Sequence, residues 1–133
     1  MADWREYAAT NDERTLGDCF RVAAELVLAN PGFTLVHALV TAPDDSPGTD
    51  GTAQPGERHA HAWAETEHPV TFPDGRTRRT VVCVEISNGR SVALLRGDYY
   101  DGGKIRQTVR YTSAAARALI VETGTWGPWR DLP

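Results

Sequence analysis

The chain has 133 residues, with 14 basic and 18 acidic side chains that give a formal net charge of −4 at pH 7. This length suits one domain, and 41% apolar with 24% charged residues is the composition of an ordinary folded protein. No apolar run reaches the length of a membrane-spanning helix, and none at the start resembles a secretion signal. A mildly acidic chain also lacks the positive charge that non-specific binding to nucleic acid requires. We therefore expect a cytoplasmic protein with free thiols that binds neither membrane nor nucleic acid.

The first half of the chain predicts a helix, a strand and a long loop. Apolar residues recur at three- and four-residue steps over residues 18–28, the pattern of a helix buried on one side. Residues 34–40 are rich in β-branched side chains and predict a strand. Residues 42–57 contain three prolines and three glycines, which predicts a mobile surface loop. Because this loop ends beside a pair of histidines, we expect it to act as a lid over a functional groove.

The second half predicts antiparallel strands and a closing helix. Residues 59–67 alternate between alanine and polar or aromatic side chains, as a strand with one buried face does. A turn at residues 73–75 follows. Further strands are predicted at residues 80–86, 91–95 and 109–111, and a last helix, capped by Thr112 or Ser113, at residues 114–123. This order predicts a single α+β domain over residues 1–133, in which an N-terminal helix packs on an antiparallel sheet.

Cys19 lies within the first turn of the predicted N-terminal helix. Backbone N–H groups without helical partners, and the positive end of the helix dipole, favour a thiolate there. The thiolate is the nucleophilic form of cysteine, and the same N–H groups can hold an oxyanion. Cys19 is therefore a candidate nucleophile. The alternative is a buried cysteine that only packs as a small apolar side chain.

His59 and His61 are two residues apart on a predicted strand, so their side chains point to the same face. In one interpretation they bind a metal ion together with Glu65, His37 or His68. In a second, one imidazole is the general base for a nearby thiol. In a third, both are polar side chains on a half-exposed strand.

Glu85 is an acidic residue in an otherwise apolar predicted strand, where a carboxylate is costly unless it has a partner. A hydrogen bond to an imidazole would satisfy the carboxylate and orient the ring. A two-residue turn centred between residues 74 and 75 would place Glu85 opposite Ala64 and Asn88 opposite His61. A bulge or a wider loop would instead move Glu85 towards His61. The orienting residue is therefore Glu85 or, failing that, Asn88.

Two other residues of the predicted hairpin bear on this expectation. Pro69 lies within the first arm, so we do not expect regular pairing there. Cys83 shares a face with Glu85, and we predict that it packs rather than acts as a second reactive thiol. A disulfide between Cys83 and Cys19 would require an oxidising compartment, for which the sequence provides no argument.

The order of cysteine, histidine and acid resembles the papain-like superfamily, and most closely its small transglutaminase-like core. The segment His61-Ala-Trp-Ala-Glu65 is similar to the His-Ala-Trp-Val-Glu strand of those proteins, which include leader peptidases of lasso-peptide pathways. The segment Glu85-Ile-Ser-Asn-Gly89 is similar to the Asp-x-Ser-Asn-Gly strand end of small bacterial and phage proteins of this type. The resemblance covers about residues 17–90.

The resemblance implies a cysteine hydrolase, such as a thiol protease, or an acyltransferase that needs no metal or other cofactor. Cys19 would be the nucleophile, His61 the base and Glu85 the orienting acid. Asn11 is a candidate oxyanion donor by position. The residues expected to line the substrate groove are His59, Trp63, Tyr99 and Tyr100. The substrate would be a peptide, a protein or a small molecule with an amide bond.

Two alternatives to an enzyme come from the same residues. One is a non-catalytic module that binds a peptide or protein in the same groove. The other is a histidine-rich metal-binding protein that uses His59 and His61.

Overall fold

The computed structural model describes residues 19–42, 55–87 and 90–133. It contains three helices and five strands in these ranges. In chain order they are α1 (Cys19–Ala29), β1 (Thr34–Thr41), β2 (Arg58–Thr71), β3 (Thr77–Ser87), β4 (Arg90–Leu95), α2 (Arg96–Gly103), β5 (Val109–Tyr111) and α3 (Ser113–Thr123). Asn11, Asn88 and residues 43–54 of the predicted lid lie outside the described ranges.

The five strands form one antiparallel sheet in the order β4-β3-β2-β1-β5. The expected α+β class, with a Cys-bearing helix on an antiparallel sheet and a closing helix, is therefore confirmed for the described part of the chain. Strand β2 is central: residues 58–65 pair with β1 and residues 64–71 pair with β3, so both neighbours meet it at Ala64 and Glu65. None of the described helices is long and apolar enough to cross a membrane.

The β2–β3 hairpin has a different register from the one that a two-residue turn predicts. Its loop has three residues, with Gly75 at φ 82°, and the Phe72 N–H donates to the Arg76 carbonyl across it. This loop is a common hairpin connection, and its last residue needs the left-handed conformation that glycine adopts freely. Ala64 consequently pairs with Val84 instead of Glu85. Because side chains alternate along a strand, this one-residue shift places Glu85 on the face opposite to Ala64.

Pro69 does not disturb the pairing, contrary to expectation, and it lies opposite Arg79 in a regular ladder. The reason is that β1 pairs with β2 only as far as Glu65. Pro69 therefore lies where one edge of β2 has no neighbouring strand among the described residues, and a proline is tolerated there because no ladder hydrogen bond is lost.

The two faces of the sheet carry different side chains. On one face, Ala62 and Ala64 pack with apolar residues of α1, including Leu26 and Val27, and with Ala116 of α3. The alanines are small, which lets the helix approach the sheet closely. The other face carries the alternate residues of β2, and Trp63 there packs with the tyrosines of α2. The candidate site residues His59, His61, Trp63 and Glu65 lie on this second face, whereas His68 lies on the face of the alanines.

The ends of α1 and α3 follow the local signals in the sequence. The side chain of Asn30 donates to the Leu26 carbonyl, so it satisfies a carbonyl at the end of α1. Thr112 caps α3, since its hydroxyl accepts from the Ala115 N–H at 3.1 Å, and Gly124 ends that helix with φ 70°. Of the two tryptophans that follow, Trp129 packs on the sheet through Tyr111, whereas Trp126 stays partly exposed.

Helix α2 was not predicted, because residues 98–103 have the composition of a turn. Glycines at positions 97, 102 and 103 lower its intrinsic helix propensity. Its two tyrosines dock against Trp63, with ring centroids 5.2 Å away for Tyr99 and 5.9 Å away for Tyr100. Tertiary packing therefore stabilises a helix that its own residues favour only weakly.

Candidate functional site

Cys19 is the first residue of α1, and it is buried, with 8% of the residue exposed. It is a free thiol. Backbone N–H groups of the first helical turn point towards this end of the helix, together with the positive end of the helix dipole. The position is suited to a negatively charged sulfur and, next to it, an oxyanion.

His61 on β2 contacts both other members of the predicted triad. Its Nε2 atom forms an ion pair with the Glu85 carboxylate. The Cys19 thiol is hydrogen-bonded to the same imidazole. Burial lowers the pKa of His61, but the Glu85 carboxylate, followed by the contact with Cys19, raises it to about 9. Because Nε2 faces the acid, Nδ1 is the ring nitrogen left for the sulfur.

Glu85 reaches His61 because of the hairpin register described above. The β2–β3 ladder ends at the pair Ala64–Val84, and the next residue, Glu85, lies on the same sheet face as Trp63 and His61. Its side chain is 18% exposed. Tyr99, on α2, is hydrogen-bonded through its hydroxyl to the Glu85 carboxylate. Burial, followed by the negative charge of Glu85, raises the pKa of Tyr99. The acid is thus held by a histidine and a tyrosine, and of the two alternatives, Glu85 and Asn88, it is the one that the structure describes in contact with His61.

Aromatic rings enclose this group. Trp63 stacks on His61 with ring centroids 6.2 Å apart, and its own ring is fully buried. It therefore supports the imidazole from within the fold. His59 lies on the open side, 5.6 Å from His61 and partly exposed. Burial and the neighbouring His61 charge lower the pKa of His59, so His59 is neutral near pH 7.

A second buried carboxylate, Glu65, lies two residues beyond Trp63 on the same face of β2. It accepts hydrogen bonds from the indole of Trp63 at 2.9 Å, from the Tyr100 hydroxyl and from Arg110 at 2.7 Å. Arg96 forms a further ion pair with it at 3.2 Å. Burial raises the pKa of Glu65, but the hydrogen bonds from Arg110, Tyr100 and Trp63 outweigh it and hold the pKa below its usual value. Glu65 is therefore an ionised structural anchor between the sheet and α2.

The two cysteines lie in different surroundings. Cys83 is fully buried on β3, and its thiol donates to Glu65 at 3.5 Å. Burial and the Glu65 carboxylate raise the pKa of Cys83 strongly, which keeps the thiol protonated and unreactive. Cys19, by contrast, contacts an imidazole at the start of a helix. The prediction that Cys83 packs rather than reacts agrees with this placement.

The structure does not bring the proposed metal ligands together. His37 faces the opposite side of the sheet, among the rings of Phe20, Tyr111 and Trp129. Glu65 is already ion-paired with two arginines, and His61 is ion-paired with Glu85. Within residues 19–42, 55–87 and 90–133, no group of three potential metal-ligating side chains is found.

Sequence reasoning did not identify the hydrogen bonds of the two tyrosines on α2. Tyr99 and Tyr100 were expected to line a groove, and this role stays a prediction. In the structure their hydroxyls bind different glutamates, Glu85 and Glu65 respectively. Two acids on neighbouring predicted strands, followed by a pair of adjacent tyrosines, were the signal available in the sequence. Asn11 and Asn88, expected to donate to an oxyanion or orient the base, lie outside the described residues.

Comparison with protein-family models, with curated proteins and with solved structures gives no match for this chain.

Proposed function

We propose that this protein carries out thiol-dependent acyl chemistry, in which Cys19 attacks an amide carbonyl and forms a thioester. The observation that supports it most directly is the contact of three side chains from three elements: a thiol at a helix start, an imidazole and a carboxylate. A histidine between a cysteine and an orienting acid is the arrangement that activates a thiol as a nucleophile.

The three residues have distinct roles in the proposed reaction. The Cys19 thiolate adds to the carbonyl carbon while the α1 N–H groups bind the resulting oxyanion. Protonated His61 then gives its proton to the leaving amine as the carbon–nitrogen bond breaks. Water, or an acceptor amine, attacks the thioester and loses a proton to His61. The carbon–sulfur bond then breaks, which restores the Cys19 thiolate beside protonated His61. Glu85 keeps the imidazole oriented throughout.

The proposal extends to a papain-like core of the transglutaminase-like type. Its support is the order of a Cys-bearing helix, a His-Ala-Trp strand and an acid on the adjacent antiparallel strand. The substrate class that follows is a peptide, a protein or a small amide. Hydrolysis and acyl transfer use the same first step and differ only in the second nucleophile.

The test is selective alkylation of Cys19 near pH 7. We expect iodoacetamide to modify Cys19 in the folded protein at least about tenfold faster than it modifies a free thiol such as glutathione, because the imidazole stabilises the thiolate. His61→Ala should reduce this rate to that of an ordinary thiol. Intact-protein and peptide mass spectrometry measure the extent and the site of labelling.

Cys83 is the matched control within the same chain. Cys83→Ala should leave the labelling rate unchanged, whereas Cys19→Ala should abolish labelling of the folded protein. Equal rates for Cys19 in the wild type and in His61→Ala would contradict the proposed function. A fast-labelling Cys19 is then offered thioester-forming acyl probes, since a non-catalytic peptide-binding module would show no accumulation of acylated Cys19.

A further inference from the structure

Tyr99 and Tyr100 are adjacent on α2, yet their hydroxyls serve different carboxylates. Tyr100 binds Glu65, which is already held by Arg96 and Arg110. Tyr99 binds Glu85, which has no arginine partner among the described ion pairs and is paired with His61. The loss of one donor therefore matters far more to Glu85 than to Glu65.

The position of Tyr99 is itself well defined. Its ring lies 5.2 Å from that of Trp63, and Trp63 in turn stacks on His61. Tyr99 is partly buried, on a helix that closes over this face of the sheet. A glutamate has one more rotatable bond than an aspartate, so a carboxylate that is to meet an imidazole in one orientation needs a second anchor. The Tyr99 hydroxyl is that anchor.

We propose that Tyr99 is a positioning residue of the site, which acts through Glu85 by holding one of its carboxylate oxygens so that the other faces His61. The proposal rests on the proposed function for its catalytic meaning, but the contact itself can be tested without any substrate. In this role Tyr99 supports Glu85 whether or not its ring also contacts substrate.

The test is an NMR pH titration of the His61 imidazole in wild-type protein and in Tyr99→Phe. The phenylalanine keeps the ring packing on Trp63 and removes only the hydroxyl. We expect the titration midpoint of His61 to move from about 9 towards the ordinary value of 6.5, because a carboxylate that is free to rotate interacts less with the ring. His61→Gln identifies the resonance.

Tyr100→Phe is the matched control. It also removes a tyrosine hydroxyl from α2, but one that binds Glu65, so the His61 midpoint should stay where it is in the wild type. An unchanged midpoint in folded Tyr99→Phe would overturn the positioning role, whatever the activity of the protein. A shift of equal size in both variants would also overturn it, since the effect would then come from a general loosening of α2.

A double-mutant cycle on Cys19 labelling connects the proposal to function. Tyr99→Phe should slow iodoacetamide labelling by about tenfold in the wild-type background and have no further effect in Glu85→Gln. Equal effects in both backgrounds would show that Tyr99 does not act through Glu85. If the midpoint shifts but wild-type Cys19 labels no faster than glutathione, the positioning of Glu85 stands and the proposed function fails.

Discussion

Glu65 and Glu85 are two acids on the same face of neighbouring strands, and each accepts a hydrogen bond from one of two adjacent tyrosines. They differ in their other partners. Glu65 is 2% exposed and is paired with two guanidinium groups, which do not lose their charge at any ordinary pH. Glu85 is paired with a histidine, which does.

This difference separates an anchor from a reactive group. A carboxylate between two permanent cations keeps one state and joins three elements, here β2, α2 and β5. A carboxylate next to an imidazole that also contacts a thiol can stabilise the ring while the ring gains and loses a proton during a reaction. The permanence of the partner's charge, rather than the burial of the acid, distinguishes the two.

The largest effect is expected from removing the anchor. Glu65→Ala leaves Arg96 and Arg110 facing each other and takes the acceptor from Tyr100 and Trp63. Breaking a buried ion pair on one side typically costs about 3–5 kcal/mol, and we expect the free energy of unfolding, measured by urea denaturation, to fall by this amount. Glu65→Gln, which keeps the shape and one acceptor, should lose less. A loss below about 1 kcal/mol for Glu65→Ala would contradict the anchor role.

The next effect concerns the response of stability to pH. The pKa of His61 is raised in the folded protein from 6.5 to about 9, so the pair with Glu85 stabilises the fold fully below pH 6.5. This contribution decreases as the pH rises from 6.5 towards 9, by up to about 3 kcal/mol. The pairs of Glu65 persist over this range because arginine stays charged.

Glu85→Gln removes the charge of the acid and so isolates the contribution of the His61–Glu85 pair to the free energy of unfolding. Urea denaturation of the wild type and of Glu85→Gln should give stabilities that differ at pH 6 and converge near pH 9. Because the Cys19 thiol also contacts His61, the same comparison is repeated in the Cys19→Ser background. A difference that stays constant with pH would contradict the assignment to the His61–Glu85 pair.

The smallest effect is expected from removing Arg96, the more exposed of the two arginines that pair with Glu65. The side chain of Arg96 is 45% exposed and lies 3.2 Å from Glu65, whereas Arg110 lies at 2.7 Å and also donates to Tyr100. Arg96→Ala should therefore change the free energy of unfolding by less than about 1 kcal/mol, as half-exposed ion pairs do. Arg110→Ala should cost more, and the reverse order would show that Arg96 is the main partner of Glu65.

Local features of the sequence were sufficient for the parts of the site that depend on local geometry. Helical periodicity placed Cys19 in the first turn of α1, and it is the first residue of that helix. The two-residue period of a strand placed His61, Trp63 and Glu65 on one face, and the structure has them there. The threonine cap of α3 was likewise readable from the sequence.

Tertiary structure decided which of these residues meet. The hairpin loop has three residues instead of two, and this single difference turned Glu85 to the face of His61. The partners of Glu65 are 31 and 45 residues away along the chain, on a helix whose composition predicts a turn and on the last strand. Periodicity reports which face of its own element a side chain occupies. The register between elements, and the docking of a weak helix such as α2, depend on packing between residues far apart in sequence, which no local pattern contains.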